Sequence, residues 1–177
     1  LQRIIQGKGV SCTVVAPSLI PVKPGERIKT DRRDARKLVS MFRAGLLTEV
    51  SPPTEAEEAL RDLCRQREAA QQDLGRVRHR LGKFLLRRGI VYGRGTAWTG
   101  KHLDWLRSLR MENDVSQRVL TEYLAQLEEQ RARVKSLDAA LAEMAEQECY
   151  RTQVAWLRCF RGIDTLTAIT IVAELYG

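Results

Sequence analysis

Two aspartates lie three residues apart within a strongly basic stretch, Lys29-Thr30-Asp31-Arg32-Arg33-Asp34-Ala35-Arg36-Lys37-Leu38. If this stretch is helical, Asp31, Asp34 and Leu38 share one face, because positions three and four apart are neighbours on a helix surface. Two carboxylates on one face can bind a hard divalent cation such as Mg²⁺ through their oxygens. The spacing therefore allows a metal-binding pair, flanked by cationic side chains that would face phosphates.

The same residues allow a structural alternative. Asp31 could cap the start of a helix, and Asp34 in the first turn would then be stabilised by the positive end of the helix dipole. In that case neither carboxylate needs a metal. The ten residues by themselves leave both interpretations open.

The surrounding residues resemble a known family. Ala16-Pro17-Ser18-Leu19-Ile20-Pro21 and Lys23-Pro24-Gly25 precede Thr30-Asp31-Arg32-Arg33-Asp34-Ala35. Together they are similar to the end of the catalytic domain of the DEDD insertion-sequence transposases, which are relatives of the Piv DNA invertases. Several members of that family are guided by a bridge RNA. The resemblance extends over nearly the whole chain.

This resemblance implies a fold and a chemistry. Residues 1–53 would be the remnant of a RuvC-like, RNase H-type α/β domain, with Asp31 and Asp34 as the third and fourth of four catalytic carboxylates that hold Mg²⁺. The first two carboxylates would precede Leu1, so the metal site would be half present. A serine nucleophile would lie further along in a Ser-Ser-Gly-like segment, and no serine of this chain has that context.

The resemblance also implies partners and a cellular setting. Cutting and rejoining of DNA strands would make DNA the substrate, and a guide RNA would be a second partner in some members. The protein would act in the bacterial cytoplasm, associated with the nucleoid. Because the chain begins at Leu1 and stops at Gly177 within an apolar helical pattern, we expect a piece of a longer protein that is inactive by itself.

Charge is distributed unevenly along the 177 residues, whose formal net charge is +8. Residues 1–110 contain 23 Lys and Arg against 11 Asp and Glu, whereas residues 111–177 contain 7 against 11, and no acid occurs from Leu74 to Leu103. This bias favours a polyanionic partner, and a solvated basic surface is the alternative. The basic residues that we assign to nucleic-acid binding are Lys29, Arg32, Arg33, Arg36, Lys37, Arg76, Arg78, Arg80, Lys83, Arg87 and Arg88.

The four cysteines show neither a C-x-x-C pair nor a nearby histidine. Buried free thiols in a reducing cytoplasm explain them better than a metal site or a disulfide framework. No apolar run approaches 18 residues and no signal peptide is visible, so we expect a soluble protein.

The first third of the chain predicts a small α/β segment. We expect a short helix over residues 1–8, a buried strand from Val10 to Ala16 and a helix from about Asp31 to Ala44. Gly45 would end this last helix. The inward-facing residues of the helix would be Leu38, Val39 and Phe42.

Two long helical patterns follow. Thr54 and Glu57 form a capping box at the start of the first pattern, which ends near Gly89, and the second begins near Asn113. Each covers about 35 residues, which predicts an antiparallel, coiled-coil-like hairpin over residues 54–150. The apolar stripe would be a packing seam, or it would pair with a second chain to form an oligomer. It consists of Leu60, Leu63, Leu74, Val77, Leu81, Phe84 and Leu85, followed by Val115, Val119, Tyr123, Leu127, Val134, Leu137, Leu141 and Met144.

Between these patterns, residues 92–100 are rich in glycine, and residues 102–109 predict a short helix across the hairpin tip. We expect Trp98 and Trp105 to be core residues there, and stacking on a nucleic-acid base is the alternative. The basic run of the first long helix would bind backbone phosphates without reading sequence, with solubility as the alternative. His79 lies in this run without a carboxylate or cysteine partner and receives no catalytic role.

Residues 156–168 resemble a helix-hairpin-helix, in which Gly162 would let backbone amides approach a phosphate. Asp164 stands where that motif prefers a second glycine, so a structural turn is an equal alternative. Residues 151–177 would open a C-terminal domain specific to the transposases.

These observations predict a mainly α fold in three parts, namely residues 1–53, 54–150 and 151–177. The first functional interpretation is a fragment of a DNA transposase or recombinase with a metal–carboxylate site. The alternatives are a non-catalytic basic hairpin that binds RNA or DNA, and a coiled-coil oligomerisation module.

Overall fold

The computed structural model describes residues 1–21 and 30–175. These residues are mainly helical, as predicted. Within them lie α1 (Gln2–Gln6), a 3₁₀ turn (Pro17–Leu19), α2 (Asp31–Arg43), α3 (Glu55–Leu86), α4 (Gly100–Ser108), α5 (Asp114–Ala145), α6 (Glu148–Arg158) and α7 (Thr165–Leu175).

The chain divides into two compact units, Leu1–Thr54 and a second unit that begins at Glu55. The Lys23-Pro24-Gly25 segment and Lys29 lie outside the described residues. Across the described ranges, no helix is both long and apolar enough to cross a membrane.

The prediction of a strand from Val10 to Ala16 is wrong. The segment contains a single antiparallel bridge, between Val15 and Glu49. The side chain at the start of the segment is 56% exposed rather than buried. A strand needs neighbouring strands to satisfy its amides and carbonyls, and this unit supplies one short contact.

Helix α2 begins and ends within one residue of its predicted bounds. The Thr30 side chain accepts a hydrogen bond from the Arg33 amide at 3.4 Å, which satisfies a free amide of the first turn. At the other end Gly45 has a φ of +66°, and the amides of Gly45 and Leu46 donate to carbonyls of the last turn. This Schellman motif favours glycine, because glycine adopts a positive φ without strain.

The inward face predicted for α2 is wrong. Leu38, Val39 and Phe42 are 36%, 59% and 62% exposed, and Met41 is the buried residue of the helix. An apolar helix face needs a second layer to bury it, and the described part of this unit leaves the face uncovered. The three exposed side chains line a groove of about 260 Å³, whose other walls are Thr13, Val15 and Leu47.

Helices α3 and α5 are each 32 residues long and pack against each other. Cross-helix contacts join Arg67 to Asp138 and Phe84 to Tyr123. Arg67, early in α3, contacts Asp138, late in α5, whereas Phe84, late in α3, contacts Tyr123, early in α5. The two helices therefore run antiparallel. The chain reverses direction between them through a segment that contains α4.

The seam between α3 and α5 follows most of the predicted apolar stripe, with a correction at the start of α5. Val115 is 76% exposed and Val119 is 36% exposed, whereas Leu120, which the predicted stripe omits, is fully buried. The seam at that end is therefore displaced around the helix from the predicted spacing. The predicted stripe residues that are buried are Leu60, Leu74, Val77, Leu81, Phe84, Leu85, Leu127, Val134 and Leu141.

Helix α4 covers the tip end of α3 and α5. Leu103 and Leu106 are buried in the same hydrophobic cluster, and Trp98 and Trp105 pack against it partly buried. A salt bridge from Arg107 in α4 reaches Glu128 in α5, with Nη2 and Oε1 3.0 Å apart. The two tryptophans are therefore core residues of the tip, as predicted.

Helices α6 and α7 form a second hydrophobic cluster with the other end of α3 and α5. Two arginines of α3 bind the end of α7. Arg61 Nε donates to the Ala173 carbonyl at 2.8 Å, and Arg65 Nη2 lies 3.2 Å from Glu174 Oε2. These contacts join α7 to the hairpin, and α6 packs in the same hydrophobic cluster.

Replacing Leu120 with Ala should destabilise the second unit by about 2–5 kcal/mol, because it removes a fully buried side chain and leaves a cavity. The matched control is Val115→Ala on the same helix, which should change stability by less than about 0.5 kcal/mol because Val115 is mostly exposed. Urea unfolding followed by circular dichroism measures both. Equal losses for the two variants would contradict the packing of α5 described above.

Candidate metal centre and nucleic-acid interface

Asp31 and Asp34 occupy the first turn of α2, immediately after Thr30. Because the Thr30 side chain makes the capping hydrogen bond, the alternative in which Asp31 caps this helix is wrong. Both aspartates are exposed, and their spacing places their Cβ atoms about 5–6 Å apart on one face of the helix. The pair is therefore accessible from solvent and held by a capped helix.

This acidic pair offers two carboxylates to a cation but does not complete a metal site by itself. Within residues 1–21 and 30–175, no group of three or more His, Cys, Asp or Glu side chains is arranged to hold an ion. Mg²⁺ keeps several waters and commonly takes one or two carboxylates from a protein. Asp31 and Asp34 thus fit one side of a hydrated cation, and further oxygen ligands would have to come from elsewhere.

The basic residues of α2 project away from the aspartate pair. At about 100° per residue, Arg32, Arg33 and Arg36 fall on the other side of the helix, and all three are exposed. Lys37 is partly buried, and Lys29 is outside the residues that the structure describes. The helix therefore has a carboxylate side and a cationic side.

The predicted basic run on α3 separates into two groups. Four of its exposed cations recur at intervals of four, three and four residues, which places them in one row along the solvent face. The row is roughly 16 Å long at the helical rise. We call Arg76, Arg80, Lys83 and Arg87 the α3 basic row. Arg76 forms a salt bridge with Asp73, whereas the other three form none with the described residues.

Arg78 and Arg88 form the second group and turn toward the protein. The Arg88 guanidinium lies over the Phe84 ring, 3.9 Å from its centroid, and Nη2 donates to Ser116 Oγ at 3.3 Å. The Arg78 guanidinium carbon lies 5.4 Å from the centroid of the Trp98 ring. These two arginines therefore belong to the packing of the hairpin tip and not to the exposed row.

An aromatic cluster at the tip encloses His102, which is buried. Its ring packs against Tyr92, Trp98 and Trp105 at centroid distances of 4.6, 5.1 and 5.5 Å. The Trp98 amide donates to His102 Nδ1 at 2.9 Å. Because an amide can donate only to an unprotonated nitrogen, His102 is neutral with its proton on Nε2. Burial lowers the pKa of His102 below its ordinary value, in agreement with the neutral form.

The hydrogen bond to His102 also holds Trp98 at a φ of +67°, a region that disfavours large side chains. The sequence interpretation placed His102 on a helix and did not identify this contact. The sequence feature that relates to this contact is the separation of four residues between Trp98 and His102, with Thr99 between them as the cap of α4. That spacing is too common to predict the hydrogen bond without the fold.

Protonation of His102 should destabilise the tip. Its folded-state pKa is lowered from 6.5, so its contribution to stability is present above pH 6.5 and is lost as pH falls through the folded-state pKa. The free energy of unfolding should fall by at most about 1.4 kcal/mol per pH unit from this group. Urea unfolding at pH 7.5 and at lower pH measures the loss.

Two variants separate His102 from other titrating groups. His102→Asn keeps an acceptor oxygen for the Trp98 amide but has no proton to gain, so it should reduce the pH dependence. His79→Asn changes an exposed histidine of α3 and should leave the dependence unchanged. An undiminished loss of stability in the His102 variant would contradict this assignment.

The turn between α6 and α7 is built around a helix cap. Asp164 Oδ1 accepts a hydrogen bond from the Thr167 amide at 2.8 Å, which lowers the pKa of Asp164, and Gly162 has a φ of +90°. The carboxylate therefore occupies the N-terminal end of α7, where a phosphate would have to bind. This geometry favours the structural turn over phosphate contact at Gly162.

The four cysteines are unpaired, and Cys64 is buried as predicted. The prediction of buried thiols is wrong for Cys149 and Cys159, which are exposed, and Cys12 is partly buried. Burial raises the pKa of the Cys64 thiol, which is therefore an unreactive core side chain.

Comparison with known proteins identifies the class. Residues 6–88 match the family model of the IS110-type DEDD proteins, described as a transposase. Over 177 residues the chain is 40% identical to the transposase for insertion sequence element IS1533 of Leptospira borgpetersenii, covering 99% of this chain and 51% of that protein. It is 37% identical over 175 residues to y4qE of Sinorhizobium fredii (strain NBRC 101917 / NGR234), a provisionally named transposase, covering 99% of this chain and 42% of that protein. No solved structure matches the chain.

The chain is therefore similar to the DEDD transposases of insertion sequences, over residues 6–88 by the family model and along nearly its whole length by the two relatives, which confirms the resemblance found in the sequence. It spans about half the length of the curated relatives it matches. Asp31, Asp34 and the α3 basic row all lie within the matched residues 6–88.

Proposed function

We propose that this chain is part of a transposase that cuts and rejoins DNA strands, with Asp31 and Asp34 as two carboxylates of a divalent-metal site. The observation that carries the proposal is the exposed acidic pair on one face of the capped helix α2, within the residues that match the family. Exposure leaves both carboxylates accessible to a cation and to a DNA phosphate.

The proposed cation is Mg²⁺, because carboxylate oxygens with retained waters are its usual ligands. When bound, such an ion supplies stabilisation of the negative charge that develops on phosphate oxygens during strand transfer. The chain itself contributes a fixed separation between Asp31 and Asp34. The serine nucleophile and the two further carboxylates that the family resemblance implies are assigned to no residue here.

Asp31→Asn and Asp34→Asn, each in a transposition-competent protein that carries this sequence, should reduce excision and rejoining by roughly 10²-fold or more. Each change removes a ligand charge while preserving side-chain size. Because both side chains are exposed, the melting temperature should change little. A PCR assay of excised and rejoined DNA measures activity, and a thermal-shift assay measures folding.

Glu49→Gln is the matched control for these two variants. It removes the same charge from an exposed carboxylate of the same unit, outside α2, and should retain activity. Unimpaired excision by either aspartate variant would refute the metal assignment. Loss of activity accompanied by a large fall in melting temperature would attribute the effect to folding instead.

We further propose that the α3 basic row, with Arg32, Arg33 and Arg36 on α2, binds phosphates of a nucleic-acid backbone. The row supports this proposal because three of its four cations have no ion-pair partner among the described residues. The family makes DNA the first partner, and a guide RNA would use the same electrostatic contacts. The assignment of Lys29 and Lys37 to nucleic-acid binding stays a prediction from the sequence.

Changing Arg80, Lys83 and Arg87 together to Gln should weaken binding to a DNA duplex and reduce the slope of log K against log salt by about 2–3. The reason is that each phosphate contact releases condensed counterions. Fluorescence anisotropy with a labelled duplex across a range of KCl concentrations measures the slope.

A second triple variant controls for total charge. It replaces three exposed cations of α5 with Gln, namely Arg118, Arg133 and Lys135, and should change the slope much less. Equal effects of the two variants would indicate a diffuse field and would contradict a specific role for the α3 basic row.

The alternative functions differ in their support. Most of the apolar stripe of the long helices is buried inside the hairpin, so an oligomer would need another surface. If the chain is a non-catalytic binding module, its DNA binding should show the expected salt dependence, and the Asp31 and Asp34 variants should retain full excision. The two experiments above therefore distinguish that case from the enzyme.

We also propose that the first unit is the end of a RuvC-like domain. Support comes from the uncovered apolar groove on α2, since a helix that packs on a sheet presents such a face. The domain boundary near residue 150 stays a prediction from the sequence. Helices α6 and α7 pack against the hairpin, so packing does not mark a separate domain at that residue.

A further inference from the structure

Arg78 is held near the hairpin tip without the partner that a half-buried cation needs. Its Nε atom is buried and has no hydrogen-bond partner among the described residues. Burial, and then the nearby charge of Arg131 on α5, lower the pKa of Arg78. The buried Nε–H group loses hydration without gaining a hydrogen-bond acceptor, which destabilises the folded chain.

The antiparallel register accounts for this pair of like charges. The cross-helix contacts of the hairpin set Arg78 level with the turn of α5 that contains Arg131. One heptad nearer the tip, the equivalent positions hold Leu85 and Leu124, both of which belong to the hydrophobic cluster. Two positions that could hold leucines therefore hold arginines.

The nearby acids of α5 do not neutralise the pair. Glu128 forms a salt bridge with Arg107, and Asp138 forms one with Arg67. Glu129, two residues before Arg131, falls on another side of the helix at about 100° per residue. The place between Arg78 and Arg131 thus lacks an anion within the described part of the chain.

Trp98 covers Arg78 from the tip. Its ring lies over the guanidinium, and its backbone is held at a positive φ by the hydrogen bond to His102. Strained backbone of this kind in a residue other than glycine occurs preferentially at ligand clamps and switch regions. An unpaired cation and a strained aromatic residue therefore meet at one location.

We propose that Arg78 and Arg131, with Trp98 above Arg78, bind one phosphate group of a nucleic-acid backbone. The inference rests on the proposed nucleic-acid binding and adds one specific contact at the seam between α3 and α5. A phosphodiester supplies the negative charge that the two guanidinium groups lack. It also presents oxygens to which arginine donates in a fixed, bidentate geometry.

This site has a signature that an exposed cation does not share. In the free chain, removing one of the two charges relieves repulsion and raises stability. In the complex, the same change removes a phosphate contact and lowers affinity. Stability and affinity should therefore move in opposite directions.

The test compares Arg131→Ala with Arg133→Ala in the purified 177-residue chain. Both residues are exposed on α5 and both changes remove one positive charge, but two residues along a helix the side chains point to different sides. Arg131→Ala should raise the melting temperature of the free chain and weaken binding to a DNA duplex, and to an RNA of the same sequence, by about tenfold. Arg133→Ala should do neither.

Inorganic phosphate provides a second probe. At constant ionic strength, replacing chloride with phosphate should raise the melting temperature of the unaltered chain and should not raise that of Arg131→Ala. Arg78→Met, an apolar replacement of similar length, should also abolish the phosphate effect while raising the melting temperature without ligand.

The outcomes distinguish the site from the wider proposal. If both α5 variants weaken binding equally, Arg131 acts only as part of a general positive field, and the site is refuted while nucleic-acid binding stands. Stabilisation by inorganic phosphate without binding of either nucleic acid would refute the assignment of the ligand. Salt-independent or absent nucleic-acid binding by the unaltered chain would overturn the proposed function itself.

Discussion

The apolar seam between α3 and α5 is the interaction on which the second unit depends. Each helix has one apolar face, and burying a leucine or phenylalanine there stabilises the fold by about 1.5–3 kcal/mol. Helix α4 docks at one end of the seam, and α6 and α7 dock at the other. Neither long helix has another described partner of comparable extent, so both ends of the unit are positioned by this contact.

Burying one face of α3 determines which of its cations meet solvent. The α3 basic row lies on the outer face because leucines at the seam occupy the inner one. Arg78 and Arg88 flank the seam and are drawn into the packing of the tip. The same hydrophobic contact therefore separates an exposed row of cations from two arginines whose guanidinium groups lie against aromatic rings.

The first unit is governed by local interactions at the ends of α2. A threonine cap and a glycine-terminated last turn define the helix, and the acidic pair follows directly from the position of the cap. Long-range packing contributes less here, since α2 keeps most of its apolar face exposed. The acidic pair and the uncovered helix face both lie in this unit, whose described residues supply neither a third metal ligand nor a covering layer.

The sequence by itself determined the positions of α2 and of the two long helices, the glycine that ends α2 and the concentration of charge on α3. These features depend on neighbours within one or two helical turns, where hydrogen bonds close locally. The family likewise followed from contiguous residues around Asp31 and Asp34.

Tertiary structure decided which apolar faces are buried and which charges are paired. The pattern of residues 10–16 is typical of a strand. A strand also needs hydrogen bonds to neighbouring strands that are distant in sequence, and a local pattern does not specify them. Val115 and Leu120 are both apolar, and only the direction from which α3 and α4 approach α5 selects Leu120 for the core. The contacts of Arg78 with Trp98, and of Trp98 with His102, arise in the same way, because they join residues whose separation is set by the reversal of the chain at the tip.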